Sequence, residues 1–472
     1  MSGQDQGPQA ASRADCGCGG ECGPCRSNFG AGPTPLGPPS RVAKWPLMHD
    51  LPKKVGDLTR VPDMSIVLSA GPVSGDKSCD PSNQDACSLY RLKIVSGEVW
   101  VHRLRKSDHE TGFIEPALSP NGAKVVYLER SGNRSERLSV QSVSPFGSGP
   151  STAFERKNER GPQWPDWLND DRIVFNRHNN DETKPRFQDP RLFVAWASGT
   201  PEGHETLLKG DDDHYCSDAD VFHDNDPHRV RIASHRKAQP KFGDYWSKDD
   251  AVPAVNTFTS WGEVGEERYG GAETPVGDAL DECHHPSWAP NGKAIACHGH
   301  TPVVEATTDA SIPYRVRPLY ELQHREFDRG RGSPTGTWRG SGAGPAATDL
   351  LFDVPSIESV SAQLSPEGVT LFDDVRPEGY LSFKYPRWAR PDWVVATVYL
   401  QDPSPDGITP GPIVDSRVAI VHRDPVRLID LVRFVETFEG VPLGSYRAFT
   451  GTSDRQRTTM GGWSGGFGVK PW

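Results

Sequence analysis

Long uninterrupted apolar runs are missing from this sequence. No segment approaches the roughly 18 consecutive apolar residues that a membrane-spanning helix needs, so no membrane span is expected. Only 35% of the 472 residues are hydrophobic. Basic charge is also in deficit: 52 Lys and Arg stand against 63 Asp and Glu, a net charge of −11. Over most of its surface such a molecule repels nucleic acid and anionic membranes, which excludes nucleic acid as an expected partner. Stretches free of Gly and Pro are scarce, because 48 Gly and 43 Pro punctuate the chain. That excludes an architecture of long helices and suits many short strands joined by turns. Aromatics, by contrast, are present in strength. The 13 Trp and 18 Phe indicate a real core, since disordered chains are poor in them.

The N-terminus shows no basic start followed by an apolar run, so no signal peptide is visible. Cysteine usage nonetheless points to an oxidising compartment. Of the nine Cys, Cys79 and Cys87 flank a short polar stretch (DPSNQDA) as a loop disulfide would, and Cys283 and Cys297 bracket an expected strand turn. Cys216 stands alone. The expected location is periplasmic or extracellular, with the cytoplasm left open by the odd thiol count.

Residues 1–60 are rich in Gly and Pro without apolar periodicity and read as a flexible arm. Residues 450–472 form a Gly-rich tail. The body, 61–449, carries a long insertion at about 325–347 that reads as a mobile loop. Within the body a unit repeats: PALSPNGAKVVYLER (Pro116 to Arg130), PQWPDWLNDDRIVFNR (Pro162 to Arg177), PSWAPNGKAIACHG (Pro286 to Gly299), AQLSPEGVTLFDDVR (Ala362 to Arg376) and PRWARPDWVVATVYL (Pro386 to Leu400). A degenerate copy runs from Asp218 to Arg236. Each joins a short strand to a β-branched or apolar strand through a tight turn. In Ser119-Pro120-Asn121-Gly122, proline presets φ and Asn then Gly accept the remaining turn geometry. Most copies are followed by two further extended runs, and four short strands per unit is the pattern of propeller blades.

Pro286, Trp288, Pro290 and Gly292, followed by Ala294–Ala296, resemble the P-x-W-S-P-D-G motif and following strand of the TolB-like, WD-repeat-related propellers of bacteria. The resemblance spans roughly 380 residues. It departs from the family in carrying Asn or Glu where Asp is usual. It implies an all-β fold, a β-propeller of about seven blades, with six or eight also compatible. Counting Met64–Ala70 as the second strand of an incomplete first blade, its missing strand would come from the far end of the chain.

Five histidines are candidate ligands for a divalent ion such as Zn, Mn or Ca: His235, His284, His285, His298 and His300. His235 in IASHR occupies the position of His298 in IACHG, so repeat equivalence puts both at one depth of the ring. Their placement before a Pro-aromatic strand is similar to the metal site of oligogalacturonate lyases, which implies a cation that acidifies a uronate α-proton. The same residues also suit purely structural hydrogen bonding between blades. The acidic run Asp211 to His228 lacks EF-hand spacing and reads as a solvated loop. Cys16, Cys18, Cys22 and Cys25 could chelate a soft metal, but they match no zinc-finger or ferredoxin spacing and read as part of the arm. Gly462-Trp463-Ser464-Gly465-Gly466 fits G-x-S-x-G, yet too few residues follow it for a hydrolase helix, acid and histidine. Two functions follow. The first is a non-enzymatic TolB-like module that binds a protein or polysaccharide partner. The alternative is a metal-dependent carbohydrate-active enzyme, a lyase, with the histidines as its ion site.

Overall fold

The computed structural model describes residues 51–59, 61–71, 87–108, 111–131, 136–147, 149–156, 162–178, 190–199, 206–209, 214–223, 229–238, 254–261, 273–276, 284–292, 294–298, 304–307, 313–317, 319–324, 338–339, 349–350, 380–403, 410–423, 426–440 and 464–465. The described residues are almost wholly strand, as the Gly and Pro punctuation predicts, with one helix, Val432–Glu439. Among them the strands make six sheets.

Met64–Ala70, Ser88–Val95, Glu98–Arg105 and Lys53–Asp57 form the first sheet, in that spatial order. The second (111–156), third (163–209) and fourth (214–276) are four-stranded antiparallel meanders in chain order. The fifth begins with His284–Trp288, Ala294–His298 and Leu319–His324. The sixth runs from Val304–Thr307 and Pro313–Arg317 through Tyr380–Arg390, Trp393–Pro403 and Pro410–Arg423 to Val426–Asp430. Thr111–Leu118, Gln163–Asn169, His214–His223, His284–Trp288 and Tyr380–Arg390 touch one another in sequence. Ser464–Gly465 pairs with Ile66 and Val67 and lies against both Thr111–Leu118 and Tyr380–Arg390. A ring of inner strands results, and the arrangement is propeller-like. The far end of the chain supplies a strand to the first sheet, as the hiding of sheet edges requires.

One expectation changes. The arm does not extend to residue 60, because Lys53–Asp57 pairs with Glu98–Val101 as the outer edge of the first sheet. The expected seventh blade is not seen among the described residues, and the copy at 362–376 lies outside them. Within the expected insertion, Trp338–Arg339 pairs with Gln323 and His324.

The turns form as their residues dictate. Gly122 N–H donates to Ser119 O at 2.7 Å and Gly292 N–H to Ala289 O at 2.8 Å. Gly122 and Gly292 have φ of 68° and 63°, which glycine accepts without strain. The third sheet's turn lacks glycine and substitutes an Asx turn, with Asn169 Oδ1 accepting from Asp171 and Arg172 N–H at 2.9 and 2.8 Å. The motif tryptophans Trp167, Trp288 and Trp388 are buried. At about 25 cal/mol per Å² of apolar surface, each such ring contributes on the order of 4–6 kcal/mol of transfer free energy. A core of Ile66, Leu68, Leu92, Trp393, Val395, Ile420 and Phe434 joins the first sheet to the sixth.

Candidate functional site at the hub

Four inner strands share a local defect. The pairing of each with its neighbour skips at a bulge: between Ile114 and Ala117, between Gln163 and Asp166, between His284 and Ser287, and between Lys384 and Arg387. In each bulge the residue before a proline takes a positive φ: Glu115 (52°), Trp164 (50°), His285 (50°) and Tyr385 (54°). The left-handed region costs an L-residue about 1–3 kcal/mol, and a following proline favours extended backbone instead. The fourth inner strand also bulges, between Ser217 and Asp220, without a proline.

The bulges turn these four residues towards one another. The rings of Trp164 and His285 lie 4.5 Å apart, those of His285 and Tyr385 4.4 Å, and those of Trp164 and Tyr385 5.3 Å, stacked at 25°. His298, on the second strand of the fifth sheet, stacks on His285 at 5.0 Å and 16° and meets Tyr385 edge-on at 5.4 Å. Trp164, His298 and Glu115 are buried, whereas His285 and Tyr385 are only partly so. The hub thus presents an imidazole and a phenol over a buried layer of indole, imidazole and carboxylate.

Hydrogen bonds between sheets fix the bulges. Glu115 Oε2 accepts the Trp164 backbone N–H at 2.7 Å, and His298 Nδ1 accepts the Tyr385 backbone N–H at 3.3 Å. Two residues beyond each bulge residue, a second set of bonds runs round the ring. Asp166 Oδ2 accepts from Val221 N–H (2.9 Å), Asp220 Oδ2 from Trp288 N–H (2.6 Å) and Ser287 Oγ from Trp388 N–H (3.1 Å). Arg387 reaches back across the fifth sheet to form an ion pair with Asp220 and a 3.5 Å bond to Pro286 O. Burial pushes the Asp220 carboxyl above the usual carboxylate range, with Asp166 adding to the effect and Arg387 opposing it.

The sequence candidates fall as follows. His298 and His285 come together at the hub. His284 pairs with His298 in backbone register, and His235 pairs with Ser217 in the matching register of the fourth sheet. The repeat equivalence of His235 and His298 therefore holds for the backbone, while the side chains of His235 and His284 and the whole of His300 lie outside what is described. Among the described residues no group of three or more His, Cys, Asp or Glu is arranged to hold a metal ion. Cys87 and Cys297 are disulfide-bonded, and their expected partners Cys79 and Cys283 are outside the described residues. No helix of the described residues is long and apolar enough to cross a membrane.

Glu115, Trp164 and Tyr385 were missed by motif reading, although the sequence holds a signal for them. The register of the Pro162–Arg177 copy is set by Pro165, not Pro162: Trp164-Pro165-Asp166-Trp167 occupies the place of His285-Pro286-Ser287-Trp288 and Tyr385-Pro386-Arg387-Trp388. Aligned this way, the variable residue before the proline is the one that faces the hub.

No family model matches the chain, and no curated protein does. Solved structures do. A lignostilbene dioxygenase from Pseudomonas brassicacearum is 11% identical, covering 79% of this chain and 89% of its own, with a TM-score of 0.37. The periplasmic gluconolactonase of Pseudomonas aeruginosa is 9% identical over 75% and 96% of the two chains, with a TM-score of 0.32. The β-propeller domain of the trilobed protease from Pyrococcus furiosus is 10% identical over 76% and 93%, with a TM-score of 0.31. The proteins so matched are named as enzymes or as a domain of one, so the expected non-enzymatic scaffold finds no support among them. That expectation is withdrawn.

Proposed function

We propose that the chain is an enzyme whose active centre is the hub, acting by proton transfer on a carbohydrate-like substrate. The observation that carries this is the convergence of four pre-proline residues in left-handed backbone, each from a different sheet, on one contact cluster. Strain repeated four times persists only where surrounding structure enforces it, and such sites concentrate at functional centres. Imidazole and carboxylate are the side chains that move protons near neutral pH. His285, partly exposed, is the group placed to exchange a proton with substrate, and Glu115 is the buried carboxylate behind Trp164. The partly exposed Tyr385 ring suits the apolar face of a sugar ring.

The specific form of this reading is a lyase acting on a uronate polymer; of the five histidines expected as ion ligands, His235, His284 and His300 are the ones left to hold a divalent ion, because His285 is given to proton exchange and His298 Nδ1 is engaged by the Tyr385 N–H. The TolB-like kinship of the repeats, a seven-blade count, the pairs Cys79–Cys87 and Cys283–Cys297, and a periplasmic or extracellular site belong to the same proposal. It is tested by incubating the purified chain with polygalacturonate and alginate, with and without added Mn²⁺ or Ca²⁺, and following the ultraviolet absorbance of the unsaturated product. Product formation that a chelator abolishes is the expected result. No product from either polymer under any of these conditions would remove the lyase form.

A further inference from the structure

His298 stands at the boundary of the fifth and sixth sheets, stacked on His285, and its ring geometry bears on which nitrogen carries its proton. Its Nδ1 accepts the backbone N–H of Tyr385 at 3.3 Å, across the boundary between the fifth and sixth sheets. A ring nitrogen that accepts a hydrogen bond carries no proton, so a neutral imidazole must hold its proton on Nε2. In that state the Nδ1 lone pair is already engaged and the Nε2 position is a donor. Neither nitrogen is then available to a metal, which requires an unprotonated nitrogen with an open lone pair.

The bond serves a demanding position. Tyr385 stands in left-handed backbone immediately before Pro386, and its N–H is held by a side chain of the neighbouring sheet. Glu115 plays the same part for Trp164 three sheets earlier, accepting its N–H at 2.7 Å. The equivalent second-strand position in the third sheet, set by the pairing of Gln163 with Asn176 as His284 pairs with His298, is an asparagine. An asparagine carbonyl can take the place of Nδ1 as acceptor. With one face stacked on His285 and its Nδ1 tied to Tyr385, His298 fixes two of the three rings that meet at the hub.

We infer that His298 is a positioning residue locked as the Nε2-protonated neutral imidazole, which holds Tyr385 and His285 in place and leaves His285 as the imidazole the hub presents to a ligand. The inference deepens the hub reading above and rests on it for its functional meaning, but its test does not require turnover. In the full chain with ¹⁵N-labelled histidine, long-range ¹H–¹⁵N spectra report which ring nitrogen carries the proton, and His298→Asn assigns the His298 signals by their loss. The expected spectrum has Nδ1 unprotonated and Nε2 protonated at neutral pH, with Nδ1 keeping that signature after addition of Zn²⁺. A proton on Nδ1, or either nitrogen moving to a metal-bound shift with Zn²⁺, would overturn the assignment. The positioning role is read from His285 in two variants. His298→Asn keeps an acceptor for Tyr385 and should leave the His285 ring signals near their wild-type shifts. His298→Leu should displace them while the backbone amide spectrum stays folded. His285 signals unmoved in folded His298→Leu, or displaced as far in His298→Asn as in His298→Leu, would contradict it. If His298→Leu does not fold, the wild-type tautomer and the Asn variant still decide. Absence of enzymatic turnover would sink the hub's proposed function without touching this result.

Discussion

Glu115 and Trp164 belong to adjacent sheets, and the carboxylate of the first accepts the backbone N–H of the second at 2.7 Å. Both residues lie in left-handed backbone before a proline, so the bond joins two strained bulges. Removing the acceptor would strand a buried N–H, at a cost of about 1–3 kcal/mol. Glu115→Ala should therefore lower unfolding stability by that amount in urea titrations, whereas Glu115→Gln, which retains an acceptor, should lose less than about 1 kcal/mol. Equal losses in the two variants would show that the bond does not form.

The motif tryptophans offer a second check. Trp288 is buried between sheets, with its N–H held by Asp220. Trp288→Ala should destabilise by about 3–5 kcal/mol through lost burial and the cavity left behind. Thermal unfolding with an unchanged midpoint would place that ring outside the core.

The partly exposed Arg387 forms an ion pair with the buried Asp220 between the sixth and fourth sheets. Arg387→Leu leaves a buried carboxylate without its counter-charge and should cost about 3–5 kcal/mol, while adding Asp220→Asn should recover part of the loss. Strict additivity of the two changes in a double-mutant cycle would mean that the groups do not interact.

Asp430 makes stability depend on pH. Burial is the main cause that pushes its carboxyl up to about 6 from the ordinary 3.8, with Arg417 opposing. The folded state thus binds this proton more tightly than the unfolded one. The associated stability is fully present below about pH 4 and is lost as pH rises through about 6. Asp430→Asn, which keeps an acceptor for Val432 N–H, should flatten the stability profile between these limits by on the order of 1–3 kcal/mol. An unchanged slope in Asp430→Asn would show that another group titrates there.

Much of the fold was legible because its determinants are local. Pro120-Asn121-Gly122 and Pro290-Asn291-Gly292 encode their turns directly, and the far-end strand at Ser464–Gly465 follows from the need to cover an edge. The hub was legible only in part. His285 and His298 stood out by residue type, but Glu115, Trp164 and Tyr385 are ordinary residues until the ring brings their bulges together. Their common signal, the position before a proline, was obscured in the Pro162–Arg177 copy because Pro162 and Pro165 both offer a start for the motif. Sequence spacing places residues on strands but does not say which strand residues a bulge will turn towards the axis.

The central claim is that chemistry resides at the hub, and His285→Ala tests it most directly. With the wild-type activity established on a uronate polymer, kcat of the variant should fall by about 10²–10⁴-fold, the usual contribution of a positioned acid or base, at a melting temperature close to wild type. A folded His285→Ala variant that retains wild-type kcat would contradict the account.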